Sequence, residues 1–349
     1  MNILKQYRNV PDANIFDSFC KADSIINRKG FQRVSASISG GSDSDIVLDI
    51  CHRIDTGRKV RYIWFDTGLE YAATKEHLSF LELRYGISIR HIKASLPIPA
   101  CCQRYGLPFL SKQASTFIER LQQNHFQWED APYGYLAKKY PGCTSAIKWW
   151  CNIYDKKDLP CHSKFSIARN KGLKEFLLRH PPWFPISPKC CQYAKKNTAY
   201  GEYSSNGTEL SILGIRKAEG GVRSVTYKSC FSLMPVGVFA YRPLFWYKAA
   251  TKRAYEEHFD IIHSRCYLEY GMKRTGCAGC PFNREILNEL PVLKFYEPRL
   301  YAAAMNIFGE SYRYTRMYRD FVHSHFSRKK SGQEPVDTGS RPLFLLSRA

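Results

Sequence analysis

Hydrophobic and polar positions follow two rhythms along the first hundred residues. FQRVSASIS (31–39) alternates with period two and is rich in β-branched side chains, which predicts a strand. In SDIVLDICHRI (44–54), Ile46, Val47, Ile50 and Ile54 recur at helical spacing. KVRYIWF (59–65) predicts a second strand ending at Asp66-Thr67-Gly68. EYAATKEHLSFLELRYG (70–86) predicts a helix with a glycine stop, and SIRHIKA (88–94) a third strand. This β-α-β-α-β order predicts an α/β fold with a doubly wound, mostly parallel sheet, which takes ligands beyond the carboxyl ends of its strands.

Residues 95–210 mix short helices, ASTFIERLQQ and NKGLKEFLLRH among them, with Pro, Trp and Cys. ELSILGIRK (209–217) predicts a fourth strand with a site-forming turn behind it, and YKAATKRAYEEHF (247–259) a helix. Past residue 290 the pattern is helical. SYRYTRMYRDFVHSHF places Tyr314, Met317, Tyr318, Phe321 and Val322 on one face and Arg313, Arg316 and Arg319 on another. From Arg328 onward the chain reads as a loose basic tail. The expected organisation is one domain over residues 1–289 and a helical, basic extension over 290–349.

Composition narrows this. Hydrophobic residues make up 44% of the 349, enough for a sizeable core and against wholesale disorder. The net charge of +21 calls either for an anionic partner (a nucleotide, DNA or RNA) or for a basic surface that serves solubility. No apolar run is long enough for a membrane span or a secretory leader, so the expected compartment is the cytoplasm, without membrane association. In that reducing setting the thirteen cysteines are expected to be free thiols or metal ligands.

Between the first strand and helix lies Ser39-Gly40-Gly41-Ser42-Asp43-Ser44. Glycines there let backbone approach a ligand, the helix N-terminus offers unpaired N–H groups, and the serines add donors: an anion nest for phosphate. The other reading is a Gly-Gly turn with a serine cap. Neither the lysine nor the spacing of a P-loop is present.

These residues resemble a known family. Ser39–Ser44 is similar to the S-G-G-x-D-S pyrophosphate loop of the ATP pyrophosphatase (PP-loop) superfamily. FDTGLEYAAT (65–74) and GIRKAEGGVRS (214–224) resemble two further segments of its phosphoadenosine phosphosulfate (PAPS) reductase branch, with Gly220 where serine is usual. The resemblance implies an adenine nucleotide alpha hydrolase-like fold. It implies that Ser39, Gly40, Gly41, Ser42, Asp43 and Ser44 hold the phosphates of ATP or a sulfonucleotide. Asp66, Thr67, Gly68 and Gly214 would line the nucleotide site, with Arg216 and Arg223 clamping phosphate oxygens. Asp43 would orient the loop or help hold Mg²⁺, or else cap the helix. Many members carry Lys where Ser42 stands; here a lysine or arginine from elsewhere would have to supply that charge.

Cys190 and Cys191 are adjacent in KCCQYAKK, and Cys277-Ala278-Gly279-Cys280 follows in GCAGCPF. On the residues alone, zinc, an iron–sulfur cluster and buried free thiols all stand open, although an adjacent pair is awkward for a zinc knuckle. The pattern resembles the [4Fe–4S] site of assimilatory adenosine 5′-phosphosulfate (APS) reductases of the same branch. That implies Cys190, Cys191, Cys277 and Cys280 as ligands and Lys195 between cluster and nucleotide. Cys101-Cys102 reads as structural or pocket-lining, and Cys143, Cys151, Cys161, Cys230 and Cys266 as free cysteines.

The sulfonucleotide reductases of this branch use a cysteine in a C-terminal tail, and this sequence has none after Cys280. Some other cysteine, such as Cys102 or Cys151, would have to replace it, and nothing in the sequence selects one. Other members of the branch cleave ATP to AMP and pyrophosphate and insert sulfur into DNA or tRNA. The expectation is therefore an iron–sulfur PP-loop enzyme, with Asp43, Lys195, Arg216 and Arg223 as catalytic candidates. Its partners would be an adenine nucleotide, DNA or RNA, and a cysteine desulfurase or thioredoxin-like donor. The alternatives are a PAPS or APS reductase with a relocated or partner-supplied thiol, and a non-catalytic module binding nucleotide and nucleic acid.

Overall fold

The computed structural model describes residues 3–154, 162–163, 165–220 and 226–330, with residue 3 and residues 326–330 described for their backbone alone. The chain forms two compact units. One is built from Met1–Ser115 and Pro185–Gly309, the other from Thr116–Phe184 and Glu310–Ala349.

The first unit holds a six-stranded sheet. Its strands are β1 (Val34–Ser37), β2 (Val60–Asp66), β3 (Ile89–Lys93), β4 (Leu210–Leu213), β5 (Phe231–Leu233) and β6 (Phe239–Tyr241). They lie in the order β3-β2-β1-β4-β6-β5, all parallel except β5, which runs antiparallel to β6. Strand order reverses around β1, so the chain leaves β1 and β4 at a topological switch point, where such sheets bind ligands. The register pairs Ser37 with Leu213, which brings the loops after both strands out side by side.

The predicted helical face is the one that buries. The Ser42–Ile54 helix hides Ile46, Val47, Ile50 and Ile54 completely in the core; each such side chain contributes about 1.5–3 kcal/mol. The Ala72–Tyr85 helix ends where Gly86 takes a left-handed conformation (φ 60°) and its N–H bonds Glu82 O, as the glycine stop requires. β5 and β6 escape the sequence reading because three residues are too few to display a period.

In the second unit, Trp149, Trp150 and Phe176 are fully buried. The aromatic face of the Pro298–Lys330 helix joins them: Tyr314 lies 5.0 Å from Phe176 and donates its hydroxyl to His180 O, and Tyr318 donates to Lys171 O. Arg313 and Arg316 are exposed, and Arg313 stacks over Trp183 at 4.6 Å. Of the two stripes read from the sequence, Tyr314 and Tyr318 are buried and Arg313 and Arg316 exposed, while Met317, Arg319, Phe321 and Val322 are half-buried. The helix runs to Lys330; the rest of the expected tail, from residue 331, lies outside the described residues. No helix among the described residues is long and apolar enough to cross a membrane.

Candidate nucleotide and thiol site

The loop after β1 is organised by its own serine. Ser44 Oγ accepts N–H bonds from Ser39 and Gly41 and donates to Gly41 O at 2.7 Å, which folds the turn onto the first turn of the helix. Gly40 has φ 65°, and a Cβ there would sit 2.8 Å from the Thr74 methyl, so both backbone and space demand glycine. Asp43 and Asp45 occupy the first helical turn, where the helix dipole favours carboxylates.

The loop after β4 closes against it. A Cβ on Gly214 would lie 3.2 Å from the Asp43 carbonyl and the Ser44 nitrogen, so the two backbones are in contact through this glycine. Two residues on, Arg216 donates from Nε to both Asp43 carboxylate oxygens at 2.9 Å. Its own N–H is held by Glu219 Oε1 at 3.1 Å. Arg223, the second expected clamp, lies outside the described residues.

Among the described residues, a second cation meets Asp43 that the sequence reading missed. Lys252, from the Ala249–His258 helix, places Nζ 2.9 Å from Asp43 Oδ1 and hydrogen-bonds Ser42 Oγ. Lys252 thus brings an ammonium beside Ser42 from a helix that carries no motif. Asp43 bridges Arg216 and Lys252, and all three side chains are no more than 16% exposed. This geometry favours the loop-orienting role for Asp43.

Tyr267 and Thr275 cover the loop from another side. The Tyr267 hydroxyl accepts the Ser42 N–H at 3.2 Å and pairs with Thr275 Oγ1 at 3.0 Å. Thr275 stands two residues before Cys277, so one short segment touches both the glycine loop and the cysteine knuckle.

The turn after β2 serves the thiols. Gly68 N–H bonds Asp66 Oδ1, and Asp66 Oδ2 faces His91 Nε2 at 3.0 Å. Thr67 is buried, donates to Glu70 and lies 3.6 Å from Cys277 Sγ. The Ala278 N–H bonds Leu69 O, which pins the knuckle to this turn. Lys195 points into the same place. Cys277, then Glu70, hold its ammonium above the usual lysine range against the effect of burial. Burial raises Glu70, with Lys195 opposing.

The doublet and the knuckle are close enough to influence each other's charge. Cys190 and Cys277 are buried, Cys191 and Cys280 partly so. Cys190 is pushed up by its hydrogen bond to Cys102, and Cys191 by its bond to Cys190. Burial, then Cys277 and Cys191, push Cys280 up to about 12. Cys102 is thus a fifth thiol of the cluster, brought by the Ile98–Tyr105 helix. Among the described residues no group of three or more Cys, His, Asp or Glu is arranged to hold a metal ion. In chemical type, sulfur donors from two segments with an ammonium close by are what a thiophilic metal takes.

Cys151 belongs to the second unit. It lines a cleft of about 400 Å³ with Asp130, Tyr133 and Lys174, which no other expected site residue lines.

No family model and no curated protein matches this sequence. Solved structures similar to it include a PAPS reductase from Candida auris in a phosphate complex, at 13% identity over 74% of this chain and 88% of that one, with a TM-score of 0.39. The NH3-dependent NAD synthetase of Campylobacter jejuni, in complex with the nitrate ion, is similar at 13% identity over 90% and 96%, TM-score 0.36. The U34-tRNA thiolase NcsA of Methanococcus maripaludis, with its [4Fe-4S] cluster, is similar at 12% identity over 89% and 79%, TM-score 0.35.

Proposed function

We propose that this protein is an iron–sulfur PP-loop enzyme that cleaves ATP between the α- and β-phosphates in support of sulfur transfer to a nucleic acid. The observation that carries the reading is the convergence of Arg216 and Lys252 on Asp43 at the mouth of the Ser39–Ser44 loop. Two cations and a helix N-terminus at a switch point form a place to neutralise a polyphosphate.

In the reaction, an oxygen nucleophile attacks the α-phosphorus. The bond from that phosphorus to the bridging oxygen breaks, and pyrophosphate leaves with the electron pair. Water as nucleophile gives AMP; an acceptor oxygen gives its adenylate, and a sulfur nucleophile then replaces that oxygen, which departs with AMP. Arg216, Lys252 and the loop N–H groups stabilise charge on the leaving pyrophosphate, with Arg223 as a further clamp. Mg²⁺ would be carried in on the phosphates. Ser39–Ser44 and Gly214 cradle the phosphates, and the Asp66–Gly68 turn joins that site to the thiols.

Cys190, Cys191, Cys277 and Cys280 would hold the cluster, with Lys195 as its counter-charge. Such a cluster would supply inorganic sulfide as a sulfur carrier. The net charge of +21 and the exposed Arg313 and Arg316 support a nucleic acid as acceptor.

The test is incubation of anaerobically purified protein with ATP and Mg²⁺, with products separated by chromatography. AMP and pyrophosphate are expected, in amounts that fall on Arg216→Ala. ADP and phosphate, or no turnover with any nucleic acid added, overturns the reading.

A further inference from the structure

Lys252 has two places to put its charge. Forward, Nζ meets Ser42 Oγ and Asp43; backward, it lies 3.5 Å from Glu256 Oε1, one turn along its own helix. A lysine pulled back onto Glu256 would leave the loop without its substitute cation. Something must therefore occupy Glu256.

That partner is His263. Its Nε2 lies 2.8 Å from the same Glu256 Oε1, and its Nδ1 lies 2.8 Å from Asp45 Oδ2. Asp45 is fully buried in the first turn of the loop helix, two residues beyond Asp43. Behind it, His77 of the Ala72–Tyr85 helix approaches Asp45 Oδ2 at 3.1 Å without hydrogen-bond alignment. The Tyr267 ring, whose hydroxyl covers the loop, lies 5.7 Å from the imidazole. Asp45, Glu256 and Tyr267 are the groups these elements present to His263, with Lys252 and His77 one step further out.

We propose that Lys252 is a phosphate-binding residue of the Ser39–Ser44 loop, and that His263 is the positioning residue that frees it, by occupying Glu256 while anchored on Asp45. The inference rests on reading the loop as a phosphate site. Both ring nitrogens face carboxylate oxygens, an arrangement only the doubly protonated ring satisfies. Burial pulls His263 down, but the bonds to Asp45 and Glu256 outweigh it and bring it to about 9. At neutral pH the imidazolium therefore holds Glu256 at 2.8 Å, and Lys252 sits closer to Asp43 on the loop side, at 2.9 Å, than to Glu256, at 3.5 Å. Without it, Glu256 keeps Lys252 as its ionic partner, undivided, and competes with the ligand for that ammonium.

Calorimetric binding of inorganic pyrophosphate to the full chain tests this separately from turnover. Lys252→Met is expected to weaken binding about tenfold, the scale of a lost charge-assisted contact, while Lys252→Arg retains most of it. His263→Gln is expected to weaken binding severalfold. Adding Glu256→Gln to it should restore affinity to within about twofold of wild type, because the competitor for Lys252 is removed. Undiminished binding in Lys252→Met overturns the phosphate role. Unchanged binding in His263→Gln, or no recovery in the double variant, overturns the positioning role. A wild-type protein that binds pyrophosphate through Lys252 but never cleaves ATP leaves this inference standing and removes the proposed reaction; one that binds no pyrophosphate removes both.

Discussion

The Arg216 guanidinium donates from Nε to both carboxylate oxygens of Asp43, at 2.9 Å each, across 173 positions of sequence. Neither residue explains the other locally. Asp43 opens a helix after β1, and Arg216 follows β4. The parallel pairing of β1 with β4 makes them neighbours, and Lys252 completes the triad from a third element.

This triad is a coupled unit. A double-mutant cycle on Asp43→Asn and Arg216→Gln, followed by urea denaturation, is expected to give a coupling of about 0.5–3 kcal/mol, as for partly buried charge pairs in contact. Independent effects would show that the pair is not formed in solution. Arg216→Lys keeps the charge but loses the planar fork, so ATP turnover should fall about tenfold or more.

Gly214 is where the two loops touch. Gly214→Ala puts a methyl 3.2 Å from the Asp43 and Ser44 backbone. The expected cost is about 1–3 kcal/mol of overpacking. Pyrophosphate binding should weaken more than global unfolding suggests, because the strain falls on the phosphate loop. Calorimetry and thermal melting of the same sample separate the two; a loss confined to the melting temperature would contradict the role given to this contact.

The thiol site is tested by metal content. Anaerobically purified wild type should contain iron and acid-labile sulfide with broad visible absorption, and Cys277→Ser should lose most of it. Lys195→Met removes the ammonium beside Cys277, and such supporting groups are commonly worth roughly 10–100-fold in metal affinity. Retention of full iron in Cys277→Ser would remove this residue from the ligand set. Zinc in place of iron would replace the cluster with a structural metal.

His263 makes stability depend on pH. Its value rises from the ordinary 6.5 to about 9 on folding. The stabilisation is therefore fully present below about pH 6.5, falls as pH rises, and is gone above pH 9. A shift of this size corresponds to about 3 kcal/mol. Urea titrations across this range should show wild type losing that increment relative to His263→Gln, whose profile lacks it. The deficit of His263→Gln in pyrophosphate binding should likewise vanish above pH 9. Parallel profiles for the two proteins would rule out this linkage.

The sequence by itself determined the β-α-β-α-β frame, the glycine loop between β1 and its helix, and the two cysteine segments. Those features are local. A strand announces itself by period two, a helix by 3.6, and a sharp turn by glycine, within about a dozen residues. It also separated the Tyr314 face from the Arg313 face, since one helix displays both. What only the tertiary structure decided is which distant groups complete the site. Lys252 lies in a helix with no motif, Tyr267 in the short Arg265–Leu268 helix, Thr275 in an irregular stretch, and Cys102 in a pair read as structural or pocket-lining. His263 gains its partners from two helices, and β5 and β6 are three residues each. Contacts made across a parallel sheet impose no period on the sequence, so the charge missing at Ser42 could be noticed there but not located. The closing of the chain on itself is what brings Lys252 beside Ser42.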